Sequence, residues 1–590
     1  MFKIIHRYMA WFPATMAVLF LFGQTVCDLY LPTITASLVN KGILQQNFAY
    51  IMKIGWRMLF VAGLGLMAAT VNVFLASRQS MKIGAQLRSK LYAKVLNFAG
   101  QEMTQFGTST LITRTTNDVV QVQTVMFQVL RQMLRSPMIL VTACVLAYIQ
   151  APRLTVIYLI TLPILTVLCL LVLHYATPLF HSIQGKTDRI NQIFREGLTG
   201  VRVSRAFNQE NHEQKRFDNV NRDYTQTGVK AYSLVACLYP AMTLVLSLTD
   251  VGIIMYGGQM IAVKTLNVGD LIAFITYTTQ ILTSFMRLSR MFVSLPRASA
   301  SAKRINDILE TPSSVKYELT PPAKSAVTEN TKRPNTQLKQ VPAVEFRHVS
   351  FRYPGAERLA LDDISFTADR DSTIAVIGGT GAGKSTLIDL LAHLYEPAAG
   401  QILVEGRPVN SIPANQLHRY LTVAQQKTVL FSGTVRSNLQ KAKADASDEE
   451  MWHALDVAQA SKFVQAAGGL DAKVQQGGHN FSGGQRQRLA IARTLVADAD
   501  IYVFDDTFSA LDFQTDANLR LALAEDPQMK GKLVVIVAQR VATVLNADQI
   551  LVLDNGKLVG RGTHDELAQN NRTYQQIMAS QLKQGGGSHA

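Results

Sequence analysis

Six apolar runs in the first half of the chain are each about 20 residues long or longer, which is enough to cross the hydrocarbon core of a bilayer. Few charged residues interrupt these runs. They therefore predict six transmembrane helices, near residues 14–38, 53–77, 134–151, 153–176, 235–261 and 269–293.

The links between these runs alternate in character. Three are short, whereas residues 78–133 and 177–234 are long, polar and helical in pattern. Because basic residues are retained in the cytoplasm, the long links and the N-terminus with Lys3, His6 and Arg7 are expected on that side. About twenty extra helical residues reach roughly 30 Å into water. The pattern therefore predicts a membrane domain with long cytoplasmic helical extensions.

The composition changes twice after the last apolar run. Residues 311–343 are rich in Pro, Thr, Ser, Lys and Asn and have no apolar period, which predicts a linker. Residues 344–583 alternate strand and helix patterns and predict a soluble α/β domain, whereas residues 1–310 form the all-α membrane domain. Residues 584–590 end in GGGSHA, resemble an artificial linker remnant and are left out of the functional interpretation.

Charge and cysteine usage narrow the class of protein. The chain of 590 residues has a formal net charge of +16, and its basic residues lie mostly between apolar runs rather than in one patch. This favours anionic membrane lipids over nucleic acid as the partner. The four cysteines lie in apolar stretches without a CxxC spacing, which favours buried apolar side chains over metal or redox roles: Cys27, Cys144, Cys169 and Cys237.

A complete phosphate-binding loop follows a predicted strand at residues 373–377. Its glycines allow backbone N–H groups to surround phosphate oxygens, its lysine adds a positive charge, and its serine offers a hydroxyl to Mg²⁺. A helix begins directly after the loop and adds a favourable dipole. The candidate nucleotide-binding residues are Gly378, Gly379, Thr380, Gly381, Ala382, Gly383, Lys384, Ser385 and Thr386.

Two further motifs point to phosphate chemistry. In Ile501–Asp512, four apolar residues lead to Asp505, which is placed to hold Mg²⁺, and to Asp506, which is placed to orient an attacking water. In Phe481–Arg488, two glycines precede a helix and form an anion-binding N-terminus without a lysine. A second phosphate site on one domain is useful only if it serves the ATP of another molecule.

These motifs, in this order, resemble the ATP-binding cassette of ABC transporters over residues 343–578. The resemblance implies that Tyr353 stacks on adenine and that Gln426 joins Ser385 and Asp505 around Mg²⁺. It also implies a signature motif that contacts a partner's ATP, and a loop that crosses the dimer interface. The signature residues are Phe481, Ser482, Gly483, Gly484 and Gln485, and the interface loop is Ser509, Ala510, Leu511 and Asp512.

The membrane half resembles the exporter class of the same family. Phe106–Gln123 and Glu196–Phe217 look like its two cytoplasmic coupling segments, which rest on the cassettes. The resemblance implies a multi-pass protein of the cell membrane with a cytoplasmic N-terminus and cassette, and it is the only basis for export rather than import.

The chain departs from the family pattern in its hydrolytic residues. Asp506 stands where the family usually has Glu, and Gln539 where it usually has His. An aspartate carboxylate reaches about 1.5 Å less far, and an amide cannot become a cation. The resemblance then implies the impaired half of a heterodimeric bacterial exporter, which binds Mg-ATP, hydrolyses it slowly and completes the partner's competent site. Phe481 for the usual Leu is expected to be tolerated, and Gln475 for a common Glu is either neutral or weakens coupling.

Two acids within the apolar runs, Asp28 and Asp250, are candidates for the transport path. A cavity-facing acid favours cationic amphipathic compounds, as in multidrug export, whereas an acid paired with a neighbouring helix has a structural role. Export of lipid or peptide remains an alternative, as does an ATP-gated channel or regulatory subunit.

Overall fold

The computed structural model describes residues 2–315 and 341–585. The chain divides into two compact units: residues 1–94 with 109–311, and residues 95–108 with 312–590. Most of the predicted linker and of the predicted tail lies outside the described residues.

The first unit, called the membrane unit below, is helical. Its α-helices include three of about 50 residues, and a helix of 55 residues is about 80 Å long. Three short π-helical segments follow α-helices of this unit: Leu38–Ile43, Arg114–Asp118 and Val129–Met133. The α-helices are Phe2–Tyr8, Trp11–Ser37, Phe48–Leu96, Thr108–Thr113, Val119–Gln128, Arg135–Gln150, Pro152–Ala206, Glu210–Ala262 and Val268–Glu310.

Five helical stretches of the described chain are long and apolar enough to cross a membrane, namely Trp11–Ile43, Phe48–Leu96, Thr108–Gln150, Pro152–Ala206 and Glu210–Ala262. They contain the first five predicted spans, except that the third prediction extends one residue further, to Ala151. The sixth predicted span lies in Val268–Glu310, which is helical throughout but falls outside these five. Its threonines, serines and Gln280 lower its mean hydropathy, and it packs against several other helices of the unit, among them Trp11–Ser37, Arg135–Gln150 and Glu210–Ala262.

The second unit, called the cassette unit below, contains three sheets. The strands are β1 Val344–Phe351, β2 Leu361–Ala368, β3 Ser372–Gly378, β4 Ala399–Val404, β5 Arg407–Pro408, β6 Leu421–Ala424, β7 Gly433–Thr434, β8 Lys473–Val474, β9 Ile501–Asp505, β10 Leu533–Ala538, β11 Gln549–Asp554 and β12 Lys557–Gly562. A four-stranded antiparallel sheet has the order β2-β1-β4-β5, a six-stranded sheet has the order β12-β11-β3-β10-β9-β6, and β7 pairs with β8.

The six-stranded sheet is parallel except for β12, and alternate residues of its strands are buried in two different core clusters, one on each face. Its central strands are therefore continuous apolar runs, and the first four residues of β9 are all buried. The α-helices of this unit are Gly100–Phe106, Lys384–Leu391, Ala414–Tyr420, Val435–Leu439, Asp448–Val457, Ser461–Ala466, Gly483–Leu495, Phe513–Glu525, Val541–Val544, His564–Asn570 and Arg572–Gly585.

One helix from between two membrane helices belongs to the cassette unit. In Gly100–Phe106, the Gly100 N–H donates to the Leu394 carbonyl at 3.2 Å, and Glu102 accepts from the N–H groups of Ala99 and Ser314. The first coupling segment is predicted at Phe106–Gln123, but the segment that belongs to the cassette unit is residues 95–108, and residues 109–123 belong to the membrane unit. The second predicted coupling segment lies in the membrane unit and stays a prediction.

Candidate functional site

Four neighbouring parallel strands, in the order β3-β10-β9-β6, end at one edge of the six-stranded sheet. The phosphate-binding loop follows β3, Gln539 follows β10, Asp505 ends β9, and Gln426 lies two residues beyond β6. The carboxyl ends of parallel strands meet at one edge, which is where ligands bind in open α/β sheets. The topology therefore brings together residues that lie far apart in the sequence.

The phosphate-binding loop requires its glycines for two reasons. Gly381 and Gly383 have φ of 82° and 102°, a left-handed conformation that glycine adopts without strain. A Cβ on Gly378 would lie 2.3 Å from the Leu553 carbonyl oxygen, so only glycine fits between these strands. The helix Lys384–Leu391 begins directly after Gly383 and points its free N–H groups into the loop.

Lys384 folds back over this loop. Its Nζ donates to the carbonyls of Gly378 and Gly379, both at 2.8 Å, and the residue is only 9% exposed. Burial lowers the pKa of Lys384, whereas the charges of Asp506 and Asp505 act in the opposite direction. The ammonium is thus held where an incoming phosphate would meet it.

One carboxylate oxygen of Asp505 has no hydrogen-bond partner within the described chain. This oxygen, Oδ1, is buried, whereas the Ser385 hydroxyl bonds to the same carboxylate. Burial raises the pKa of Asp505, and the charge of Asp506 raises it further, against the effects of Ser385 and Lys384. A hard cation with oxygen ligands fits this donor set, and Mg²⁺ is such a cation.

Asp506 lies between two amide side chains. Its Oδ2 accepts from Gln426 Nε2 at 3.0 Å and from Gln539 Nε2 at 2.7 Å. The residue is 8% exposed and has a φ of 50°, an uncommon conformation outside glycine, fixed by a bond from its N–H to the Val537 carbonyl. Of the four residues predicted to act in hydrolysis, Asp505, Asp506, Gln426 and Gln539, the last three therefore form one hydrogen-bonded group.

Tyr353, the predicted adenine-stacking residue, stands next to the phosphate-binding loop. Its hydroxyl lies 3.1 Å from that of Thr386. Its ring meets the ring of Tyr395 edge-on, with centroids 5.4 Å apart. Tyr395 in turn lies against Gly100, where a Cβ would come within 2.6 Å of its ring. A row of contacts thus joins the predicted adenine position to the helix Gly100–Phe106.

The signature motif forms the capped start of the helix Gly483–Leu495. Ser482 Oγ accepts from the Gln485 N–H at 3.3 Å, and Gln485 Oε1 accepts from the Ser482 N–H at 2.9 Å. This capping box leaves Ser482 and Gly483 exposed. Phe481 is buried, and its ring lies against that of Phe463.

The predicted interface loop joins the two phosphate-binding regions. Ser509 Oγ donates to the Asp506 carbonyl at 2.9 Å, and Ala510 lies beside Gly484, where a Cβ would be 3.5 Å from its carbonyl oxygen. Leu511 is buried, and Asp512 caps the helix Phe513–Glu525. The loop therefore contacts both the hydrolytic group and the signature of the same chain.

Sequence reasoning missed several residues that hold this site together. Arg493 donates to the Val429 carbonyl at 3.0 Å, and Gln487 accepts from Thr428, so the signature helix holds the loop of Gln426. Polar residues inside a helix pattern gave no signal for these contacts, since they connect segments about 60 residues apart. Gln581, near the end of the described chain, is a further such residue.

The two candidate acids of the membrane unit differ in their surroundings. Asp28 Oδ2 forms an ion pair with Arg135 Nη2 at 2.6 Å. Asp250 Oδ1 is buried and accepts no hydrogen bond within the described residues. The adjacent Thr249 bonds to Thr161 at 3.1 Å across the neighbouring helix. The ion pair with Arg135 favours a structural role for Asp28. Asp250, in contrast, has an oxygen without a hydrogen-bond partner among the described residues.

A long-helix membrane unit joined to a sheet that gathers a phosphate-binding loop and two aspartates defines a membrane transport ATPase. A family model of the ABC transporter transmembrane region matches residues 14–285, and a model described as ABC transporter matches residues 361–509. An uncharacterized ABC transporter ATP-binding protein of Mycobacterium tuberculosis is 38% identical over 562 residues, 95% of this chain and 94% of that protein. The chain therefore belongs to the ABC transporters.

Two further comparisons define its architecture. The multidrug resistance ABC transporter ATP-binding and permease protein of Lactococcus lactis is 27% identical over 95% of this chain and 92% of that protein. The structure of a bacterial Atm1-family ABC exporter with ATP bound superposes with a TM-score of 0.77 at 22% identity, covering all of both chains. The chain is an exporter-type half-transporter, with a multi-pass helical membrane domain fused to a C-terminal cytoplasmic ATPase domain, and such ATPase domains generally bind nucleotide with Mg²⁺.

Proposed function

We propose that this chain is one half of a heterodimeric exporter whose own phosphate-binding loop holds Mg-ATP and hydrolyses it slowly. Its signature motif completes the competent site of the partner chain. The observation that carries the proposal is the arrangement of Gln426 and Gln539, which both donate to one oxygen of Asp506.

The binding half of the site has every group that Mg-ATP requires. Loop N–H groups and Lys384 meet the phosphates, Tyr353 stacks on adenine, and Ser385, Gln426 and Asp505 hold Mg²⁺, which neutralises phosphate charge when bound. The unpartnered Asp505 Oδ1 and the buried ammonium support these roles. A site so built retains nucleotide whether or not it hydrolyses it.

The hydrolytic half lacks two features of an efficient site, namely a carboxylate with the reach of glutamate and a side chain that can become positively charged. Each carboxylate oxygen accepts about two hydrogen bonds, and two amides already occupy Asp506 Oδ2. The shorter aspartate also places its carboxylate about 1.5 Å further back than glutamate, and a misplacement of about 1 Å can cost on the order of 10²-fold in rate. Gln539 donates a neutral hydrogen bond, so it adds no positive charge beside the γ-phosphate.

The signature motif is suited to the ATP of another chain. Ser482 and Gly483 are exposed, and the capping box fixes the free N–H groups that remain at the start of the helix. A helix start of this kind binds anions without a lysine. Because Ser509 bonds to the Asp506 carbonyl, the interface loop connects this chain's own site to the partner's site.

The contact row from Tyr353 through Tyr395 to Gly100 supports coupling of nucleotide binding to the membrane helices. A stacked adenine fixes the Tyr353 ring, which meets Tyr395 edge-on. Tyr395 lies directly against Gly100, so displacement of this ring displaces the segment between two membrane helices. Nucleotide occupancy can thus be transmitted even where hydrolysis is slow.

We propose small amphipathic compounds of the multidrug type as the cargo. The Lactococcus lactis relative supports this class, and the unpartnered Asp250 oxygen favours a cationic compound. An Asp250→Asn variant should transport a cationic dye several-fold more slowly while a neutral dye is unaffected. Equal transport of both dyes by the variant and the parent would remove Asp250 from the path.

The first experiment is the intact mass of the complex purified in detergent from its native membrane, with its subunits sequenced. We expect a second, different ABC half-transporter that carries Glu and His at the positions matching Asp506 and Gln539. A complex made only of this chain would contradict the heterodimer.

The second experiment restores the two hydrolytic residues. An Asp506→Glu, Gln539→His double variant, assembled in the same complex, should raise single-turnover hydrolysis at this site by on the order of 10²-fold. ATP affinity should be unchanged, because the binding half is untouched. A double variant no faster than the parent would show that Asp506 and Gln539 do not limit the rate.

A further inference from the structure

The loop that carries Gln539 is held by a side chain from the far end of the cassette unit. Gln581 Nε2 donates to the Gln539 carbonyl at 2.7 Å, and its Oε1 accepts from the Val541 N–H at 2.8 Å. One amide therefore satisfies main-chain groups on both sides of Arg540. We call this arrangement the Gln581 clasp.

The helix that presents Gln581 is docked on the cassette core. Tyr574 is fully buried, and its hydroxyl bonds to His564 Nδ1 at 2.8 Å. Ile577 and Met578 pack against the core cluster beside it. Residues 574, 577, 578 and 581 follow the i, i+3, i+4, i+7 spacing of one helix face, so this packing fixes the position of Gln581.

A second contact holds the same loop from the other side. Arg520 Nη1 donates to the Ala542 carbonyl at 2.8 Å, and Asp516, which is 2% exposed, accepts from Arg520 Nε at 3.1 Å. The loop main chain is thus fixed on both sides, and only the side chain of Gln539 extends from it to Asp506.

We propose that Gln581 is a positioning residue for hydrolysis, through which the helix Arg572–Gly585 sets the reach of Gln539 toward the γ-phosphate. This inference rests on the proposed function of Gln539. The main chain of a residue sets the position of its side chain, and a displacement of about 1 Å at a reacting group can cost on the order of 10²-fold in rate. Gln581 contacts no reacting atom and acts through Gln539.

Three variants of the full chain separate the clasp from general packing. Gln581→Leu removes both hydrogen bonds, whereas Gln581→Glu keeps an acceptor for the Val541 N–H and loses the donor to Gln539. Gln576→Leu is the matched control, since Gln576 is exposed on the same helix. Gln581→Glu also tests the clasp should the leucine variant fold poorly.

Hydrogen exchange tests the contact itself. In Gln581→Leu the Val541 amide should exchange about fivefold faster, the effect of losing one hydrogen bond. In Gln581→Glu a carboxylate oxygen would face the Gln539 carbonyl and repel it, so the Val541 amide should also exchange faster, whereas in Gln576→Leu it should exchange at the parent rate. Unchanged exchange in Gln581→Leu, or equal acceleration in Gln576→Leu, would overturn the clasp.

Single-turnover hydrolysis tests the positioning role. In the Asp506→Glu, Gln539→His background, adding Gln581→Leu should lower the rate by about tenfold without changing ATP affinity, and adding Gln576→Leu should not. An altered exchange rate with unchanged hydrolysis would refute positioning. If the double variant itself gains no activity, the proposed function of Gln539 fails, and the exchange experiment still decides whether the clasp exists.

Discussion

Two helices of the cassette unit begin next to glycine-containing motifs and present free N–H groups, yet their surroundings differ. The helix Lys384–Leu391 starts among a buried ammonium and the carboxylates of Asp505 and Asp506. The helix Gly483–Leu495 starts at an exposed serine cap whose side-chain bonds are internal to the motif. The charged groups at the first N-terminus suit a nucleotide that carries a cation, whereas the neutral second N-terminus suits a phosphate alone.

This difference agrees with the proposed function, in which the chain binds its own ATP at one helix and contacts the ATP of a partner chain at the other. A site with acids close to the phosphate requires Mg²⁺ and a lysine to offset repulsion, and it fixes the geometry of both. A neutral, exposed helix start imposes no such requirement. The altered residues Asp506 and Gln539 belong only to the first site.

The largest effect is expected from a charge at the signature. A Cβ on Gly483 would meet nothing within 4 Å, so Gly483→Asp should fold normally. Its carboxylate would face the partner's γ-phosphate, and repulsion of several kcal/mol should lower steady-state hydrolysis of the complex by about 10³-fold. Nucleotide binding at this chain's own loop should be unaffected. Gly483→Ala, which adds a methyl group without charge, should retain much more activity.

A smaller effect is expected from the lysine of the other helix. Lys384→Met removes charged hydrogen bonds to phosphate, so the affinity of this chain's own site for ATP should fall by about 100-fold. Binding of a photoreactive ATP analogue to each chain would measure this. The exposed Lys462 provides a matched control in Lys462→Met. If both variants label equally, Lys384 does not bind the phosphates.

The smallest effect concerns the crowded acids near the first helix. Burial and the charge of Asp505 raise the pKa of Asp389 to about 6, whereas an unfolded aspartate titrates near 3.9. The native state therefore binds more protons between about pH 4 and 6, and the free energy of unfolding falls as pH rises through this range.

Asp389→Asn should remove this slope and raise the free energy of unfolding at pH 7.5 by on the order of 1 kcal/mol. Unfolding of the nucleotide-free chain at pH 5 and 7.5 measures the change, with Glu357→Gln in an exposed loop as the control. An unchanged difference between the two pH values would show that Asp389 carries no such penalty.

The sequence by itself determined the motifs, the apolar spans and the class of protein. Spans and phosphate loops are local patterns, because a membrane helix needs an unbroken apolar run and a phosphate loop needs its glycines at fixed spacing. The sixth span marks the limit of this approach, since Val268–Glu310 is helical but too polar to be among the five apolar stretches.

Only the tertiary structure decided which side chains meet. Asp506 contacts Gln426, 80 residues away, and Gln539, 33 residues away, because the strand order β3-β10-β9-β6 places their strand ends side by side. The pairing of Asp28 with Arg135 and the Gln581 clasp arise in the same way, from helix packing. Such contacts depend on how distant segments fold together, and no local pattern of residues encodes that.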